Sequence, residues 1–102
     1  MKGLHPWKGF SPGSGINDYF WVEGIELEPG NISVVIMASS GKVVYKYEGP
    51  GSEWGGGKGW DGRGNRIDNN GQNLPEDTYY YIIRTTTTKP FTGYILLRRT
   101  NK

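Results

Sequence analysis

The sequence predicts an all-β domain, and three observations carry that expectation. No segment keeps helical periodicity over the ~11 residues that an amphipathic helix needs. The apolar runs are short, rich in β-branched and aromatic residues, and fenced by Gly, Pro, Asn and Ser. The 102 residues include 17 Gly and six Pro beside four Trp, seven Tyr and three Phe, so turn formers alternate with large core-filling rings. At this length one hydrophobic core is natural and two are not. Regularly spaced turn signals between the runs indicate an immunoglobulin-like β-sandwich of about seven short antiparallel strands.

Taken in order, residues 1–9 read as a leader or an appended segment, and the domain is expected to span 10–102. Tyr19–Val22 reads as a first strand, opened by the turn formers Ser11-Pro12-Gly13-Ser14-Gly15. Ile32–Ala38 and Lys42–Tyr47 read as a hairpin, with Gly41 free to take positive φ in its loop. Residues 49–71 hold nine glycines, with Trp54, Trp60 and Ile67 as the only large apolar side chains. So little apolar surface rarely offsets backbone entropy, yet the two Trp argue that parts of the segment dock on the body. A short strand is expected around Trp60. Thr78–Thr86 and Phe91–Arg99 read as long strands joined by Thr87-Thr88-Lys89-Pro90. Both faces of these two strands carry apolar side chains, which places them centrally in a packed sandwich.

Composition excludes most enzyme classes. There is no cysteine, hence no disulfide, thiol chemistry or Cys-ligated metal. The single His5 leaves no multi-His metal centre. A net charge of +2 is too small for bulk attraction to nucleic acid or to a membrane surface. No apolar run approaches the ~20 residues of a membrane helix, and the first residues lack a secretory apolar stretch. The charge is unevenly placed: no acid follows Asp77, while Arg84, Lys89, Arg98, Arg99 and Lys102 do.

Four constellations stand out. Asn17 and Asp18 beside a Gly-rich turn are weak candidates for calcium oxygens, although Ca²⁺ takes six to eight and only one carboxylate is local. The competing reading is that both cap the turn. Trp60-Asp61-Gly62 is an anchor: a buried ring, a carboxylate for backbone N–H groups, and a sharp turn. Leu74-Pro75 delivers the chain into Thr78-Tyr79-Tyr80-Tyr81, where Tyr79 and Tyr81 share one face and at least one tyrosine edge must face out. Finally, Lys89 to Arg99 forms a last strand with a flanking basic pair. A partner could add a strand there, or the charges could simply discourage aggregation.

Together these residues resemble the gliding-motility-associated C-terminal domain, the type B sorting domain of the type IX secretion system. The matching set runs from Phe10-Ser11-Pro12 and Gly15-Ile16-Asn17-Asp18 through Ile36, Gly41-Lys42-Val43-Val44-Tyr45, Trp60-Asp61-Gly62 and Leu74-Pro75 with Thr78-Tyr79-Tyr80-Tyr81 to Phe91-Thr92-Gly93-Tyr94-Ile95 and Arg98. The opening loop is one residue shorter than the family's and lacks its Asp. Ala38-Ser39-Ser40-Gly41 replaces the family's polar and aromatic hairpin, and Asp77 stands where Gly is usual. The resemblance implies a non-enzymatic export signal behind an N-terminal passenger, read by outer-membrane components of the secretion machinery. It implies passage through the periplasm to the cell surface or medium, without cofactor, nucleic acid or membrane insertion. On that reading Lys89, Gly93, Tyr94, Arg98 and Arg99 form the recognition set, held by Trp60, Leu74, Tyr79 and Tyr81.

Two alternatives remain at this stage. Trp60-Asp61-Gly62-Arg63 with Leu74-Pro75 also resembles the immunoglobulin-like domain of flagellar hook-capping proteins, which leaves Phe91–Tyr94 unexplained. A carbohydrate-binding or adhesive module would use Trp21, Trp54 or a tyrosine of the triple run as stacking platforms.

Overall fold

The computed structural model describes residues 4–6, 9–10 and 18–98. Seven strands form among the described residues: β1 (His5–Pro6), β2 (Gly9–Phe10), β3 (Val22–Glu23), β4 (Asn31–Met37), β5 (Val43–Pro50), β6 (Asp77–Arg84) and β7 (Phe91–Leu97). Five of them build one sheet in the order β2-β7-β6-β4-β5, while β1 pairs with β3 alone. The domain is thus all-β, as its short alternating runs dictate. One pairing departs from the antiparallel expectation, since β2 runs parallel to β7. Two strands also lie within the first ten residues: β1 crosses to β3, and β2 brings Phe10 into the core.

Alternation along β4 sets the inner face. Ile32, Val34 and Ile36 are buried and their neighbours are not. Register aligns Ile36 with Tyr81 and Val34 with Ile83 on β6, then Tyr79 with Ile95 and Ile83 with Phe91 on β7. A register shift between Ile36 and Met37 bulges β5 and lets Val44 join the core. The hairpin loop closes with Gly41 N–H donating to Ala38 O at 2.9 Å, and Gly41 has φ 93°, open to glycine without strain.

The layer over this face is irregular. Phe20 and Trp60 form an isolated antiparallel bridge, their N–H groups donating to each other's carbonyls at 2.8 and 3.0 Å. That bridge replaces the strand expected over Tyr19–Val22 and the one around Trp60. Phe20 then lies 5.3 Å from the Tyr81 ring, and Trp60 lies 5.3 to 5.8 Å from Phe10, Tyr79 and Tyr45. The glycines beside them permit the approach: a Cβ on Gly59, which has φ 99°, would run into Phe20 O. Residues 51–57 wind as 3₁₀ turns broken at Trp54, Gly55 and Gly56, and they bury Trp54 completely. This glycine-rich stretch is ordered by its two indoles, each with its N–H bonded: Trp54 Nε1 to the Tyr45 hydroxyl at 3.0 Å, Trp60 Nε1 to Arg63 O at 2.9 Å.

The opposite face of the sheet differs from what the doubly apolar strands imply. Tyr80, Tyr94 and Leu96 keep 42, 49 and 40 % of their surface exposed. Among the described residues the second layer covers one face alone, so the apolar residues on the other face are surface, not core.

Candidate functional site

The β6–β7 hairpin carries the residues singled out for recognition, and its supports are built from the inner face. Tyr79 is buried against Trp60, edge to face at 5.6 Å, and its hydroxyl donates to Pro75 O at 2.7 Å. That bond fastens the turn entering β6 to the strand itself. Leu74 is buried, and its N–H donates to Gly62 O at 3.0 Å, tying the same turn to the Trp60 segment. Asp61 Oδ1 accepts Arg63 N–H at 3.1 Å and closes the turn at Gly62. Tyr81 packs between Phe20 and Phe91. Burial raises its hydroxyl pKa.

The connector from β6 to β7 is fixed by threonines. Thr85 Oγ1 accepts the N–H groups of Thr87 and Thr88 at 3.4 and 3.1 Å. Thr86 Oγ1 donates to Pro29 O at 2.8 Å, and Thr87 Oγ1 donates to the Glu28 carboxylate. Lys89 follows this doubly pinned turn and is exposed.

The hairpin's outward residues form a row. Register sets Tyr80 beside Tyr94 on one side and Met37 on the other, with Thr78 beside Leu96 in the next row. Arg98 is exposed, and its N–H donates to Phe10 O at 2.9 Å. From Thr78 to Arg98 the charged residues are Arg84, Lys89 and Arg98, all exposed cations. Tyr94 lies in the outward row, Lys89 in the connector before β7, and Arg98 just past its end, where Glu76 and Asp77 line the same hollow.

Gly93 is placed differently from its expected companions. It faces inward, directly across the ladder from Tyr81, and a Cβ there would collide with the Tyr81 hydroxyl. Its lack of a side chain makes room for that ring. Arg99 and Asn17 lie outside the described residues. Asp18 is half-buried, and no cluster of three His, Asp or Glu side chains forms among the described residues. Trp54, offered as a stacking platform, is fully buried, and half-buried Trp21 stacks on it at 5.6 Å. The exposed rings are instead Tyr80 and Tyr94. Their pairing was hidden in the sequence, because even-numbered positions on two strands meet only once register is known.

The model of the CHU_C type IX secretion signal domain matches residues 5–97, from β1 to the end of β7. The chain belongs to this family. No curated protein and no solved structure matches it. This secretion signal domain is a sorting signal of the type IX system, and its family is not an enzyme family. The match includes Phe91–Tyr94, the segment that the hook-capping resemblance left unexplained, and nothing supports that alternative. A secretion signal implies a passenger to be carried and machinery to read the signal. No helix among the described residues is long and apolar enough to cross a membrane.

Proposed function

We propose that this domain works as a non-enzymatic sorting handle whose readable surface is the outward side of the β6–β7 hairpin. An N-terminal passenger carries it through the periplasm, and outer-membrane components of the type IX machinery engage Lys89, Tyr94 and Arg98, with Arg99 continuing the basic end. Gly93 serves this set indirectly by seating Tyr81. The supporting observation is the join between a rigid base and an exposed face. Trp60, Leu74, Tyr79 and Tyr81 fix the hairpin, its outward row offers the exposed rings of Tyr80 and Tyr94, and exposed Lys89 and Arg98 stand just outside the two ends of β7. Recognition by such a surface is favoured when the partner is acidic and presents apolar edges.

The test is a fusion of the whole chain to a fluorescent reporter with its own inner-membrane signal, expressed in a type IX-competent cell. Reporter at the surface or in the medium is expected. Retention in the periplasm overturns the reading. Lys89→Ala with Arg98→Ala should lower the exported fraction while leaving the unfolding midpoint near wild type, because both side chains are exposed.

A further inference from the structure

In the five-stranded sheet the end strands are β2 and β5, and they are held in different ways. Beside β5, Asn65 takes the place of a neighbouring strand. Its N–H donates to Val44 O at 3.1 Å, its Oδ1 accepts Lys46 N–H at 2.9 Å, and its Nδ2 donates to Lys46 O at 2.6 Å. Asn69 Nδ2 also donates to Val44 O at 3.4 Å. These bonds close an edge. They lie off the path that joins a passenger to the β6–β7 hairpin.

β2 lies on that path. It is the first strand of the sheet in chain order, so a passenger on the N-terminal side is joined to the sheet through it. Its partner β7 belongs to the hairpin. The two run parallel, with Gly9 opposite Leu96 and Phe10 opposite Leu97, and Arg98 N–H donates to Phe10 O at 2.9 Å. Orientation decides how such a joint takes load. When β7 is held and the first residue of β2 is pulled outward, parallel strands slide along each other and their bonds are strained together. In an antiparallel pair the same pull would open the bonds one at a time.

The joint is reinforced on both sides. Phe10 is buried with its ring 5.3 Å from Trp60, so sliding must drag that ring out of the core. Behind it, β7 is fastened to β6 along its whole length, from Asp77 opposite Leu97 to Ile83 opposite Phe91. Upstream, β1 meets β3 over two residues, and Pro6 has no N–H to give. β1 therefore yields first and hands the load to β2.

We propose that the β2–β7 pairing is the load-bearing clamp of the domain, keeping the sorting signal folded while its passenger pulls on it. The inference rests on the sorting reading and names what the handle withstands. Its test needs no secretion machinery, so the two can fail separately.

The full chain is stretched by its two ends, between identical carrier domains, in single-molecule force spectroscopy. Once β1 has come away, the rest should open in one step, at the highest force of the trace. A low-force step that frees β2 ahead of a stronger rupture overturns the clamp, because the main resistance then lies elsewhere. Two variants separate clamp strength from overall stability. Phe10→Leu trims the ring that must slide, and Ile36→Val trims β4, which pairs with β5 and β6. Both should lower the urea midpoint by a modest step. Phe10→Leu should also lower the rupture force about twofold, whereas Ile36→Val should leave it near wild type, since forced opening follows the barrier along the pull. Rupture forces that fall alike in the two variants, in step with the urea midpoint, overturn the proposal.

Discussion

Gly93 sits directly opposite Tyr81 in the β6–β7 ladder, and the tyrosine ring occupies the space a side chain would need. The hairpin bears the proposed contact surface, so this pairing links a packing detail to it. Phe20 and Phe91 pack against the ring at 5.3 and 6.4 Å.

Gly93→Ala should therefore destabilise the domain by about 1–3 kcal/mol, the usual result of forcing extra volume into a filled core. Tyr81→Leu in the same chain should recover part of that loss. The two changes would then be non-additive in urea unfolding, which is the signature of direct contact. Additive effects would show that the ring and the glycine do not constrain each other.

Trp60 joins more rings than any other side chain described, touching Phe10, Tyr45 and Tyr79 while bridging Phe20 through its backbone. Trp60→Ala should cost about 3–5 kcal/mol. That approaches the whole net stability of a domain, about 5–15 kcal/mol. Trp60→Phe should cost less, losing the bond to Arg63 O but keeping most of the ring burial. Thermal unfolding of both variants checks the order. A wild-type-like midpoint for Trp60→Ala would mean the covering layer contributes little.

The sequence made β4 to β7 readable because Ile32, Val34 and Ile36, like Tyr79, Tyr81 and Ile83, alternate with period two, and that pattern needs no tertiary information. The outward position of Tyr94 on the last strand follows from the same alternation, whereas Lys89 and Arg98, outside that strand, stand out by charge alone. What was not legible depends on partners distant in the chain. Phe20 and Trp60 satisfy each other across 40 positions, so neither lies in a run long enough to read as a strand. The covering layer is built from such single contacts, and the outer face of the sheet looked like core because nothing local marks which apolar face will be covered. Asn65 gave no signal at all: a lone Asn in a glycine-rich stretch reads as a turn residue until β5 is seen beside it.

Asn65→Ala tests that edge. It removes two side-chain bonds to Lys46 and should cost about 1–2 kcal/mol. Once uncovered, the β5 edge can pair with other copies. Sedimentation should therefore show concentration-dependent association in the variant and none in the wild type under the same conditions. A variant that stays monomeric would mean that Asn69 and the surrounding loop suffice to close the edge.

Tyr45 predicts an alkaline limit to stability. Burial pushes its hydroxyl up to about 12, an effect partly offset by the bond accepted from Trp54 Nε1. In the unfolded chain the same group titrates near 10. The folded value is the higher one, so its contribution is fully present below about pH 10 and is lost as pH climbs toward 12. A gap of that size corresponds to about 2–3 kcal/mol, with Tyr47 and Tyr81, also raised by burial, adding in the same direction. Urea unfolding from pH 8 to 12 should show the decline, and phenolate absorbance should show one tyrosine ionising late. Tyr45→Phe leaves the Trp54 N–H without its acceptor and so should be less stable at pH 8. It should then lose less between pH 10 and 12, because the titrating group is gone. Equal losses in the two proteins over that range would remove Tyr45 as the cause.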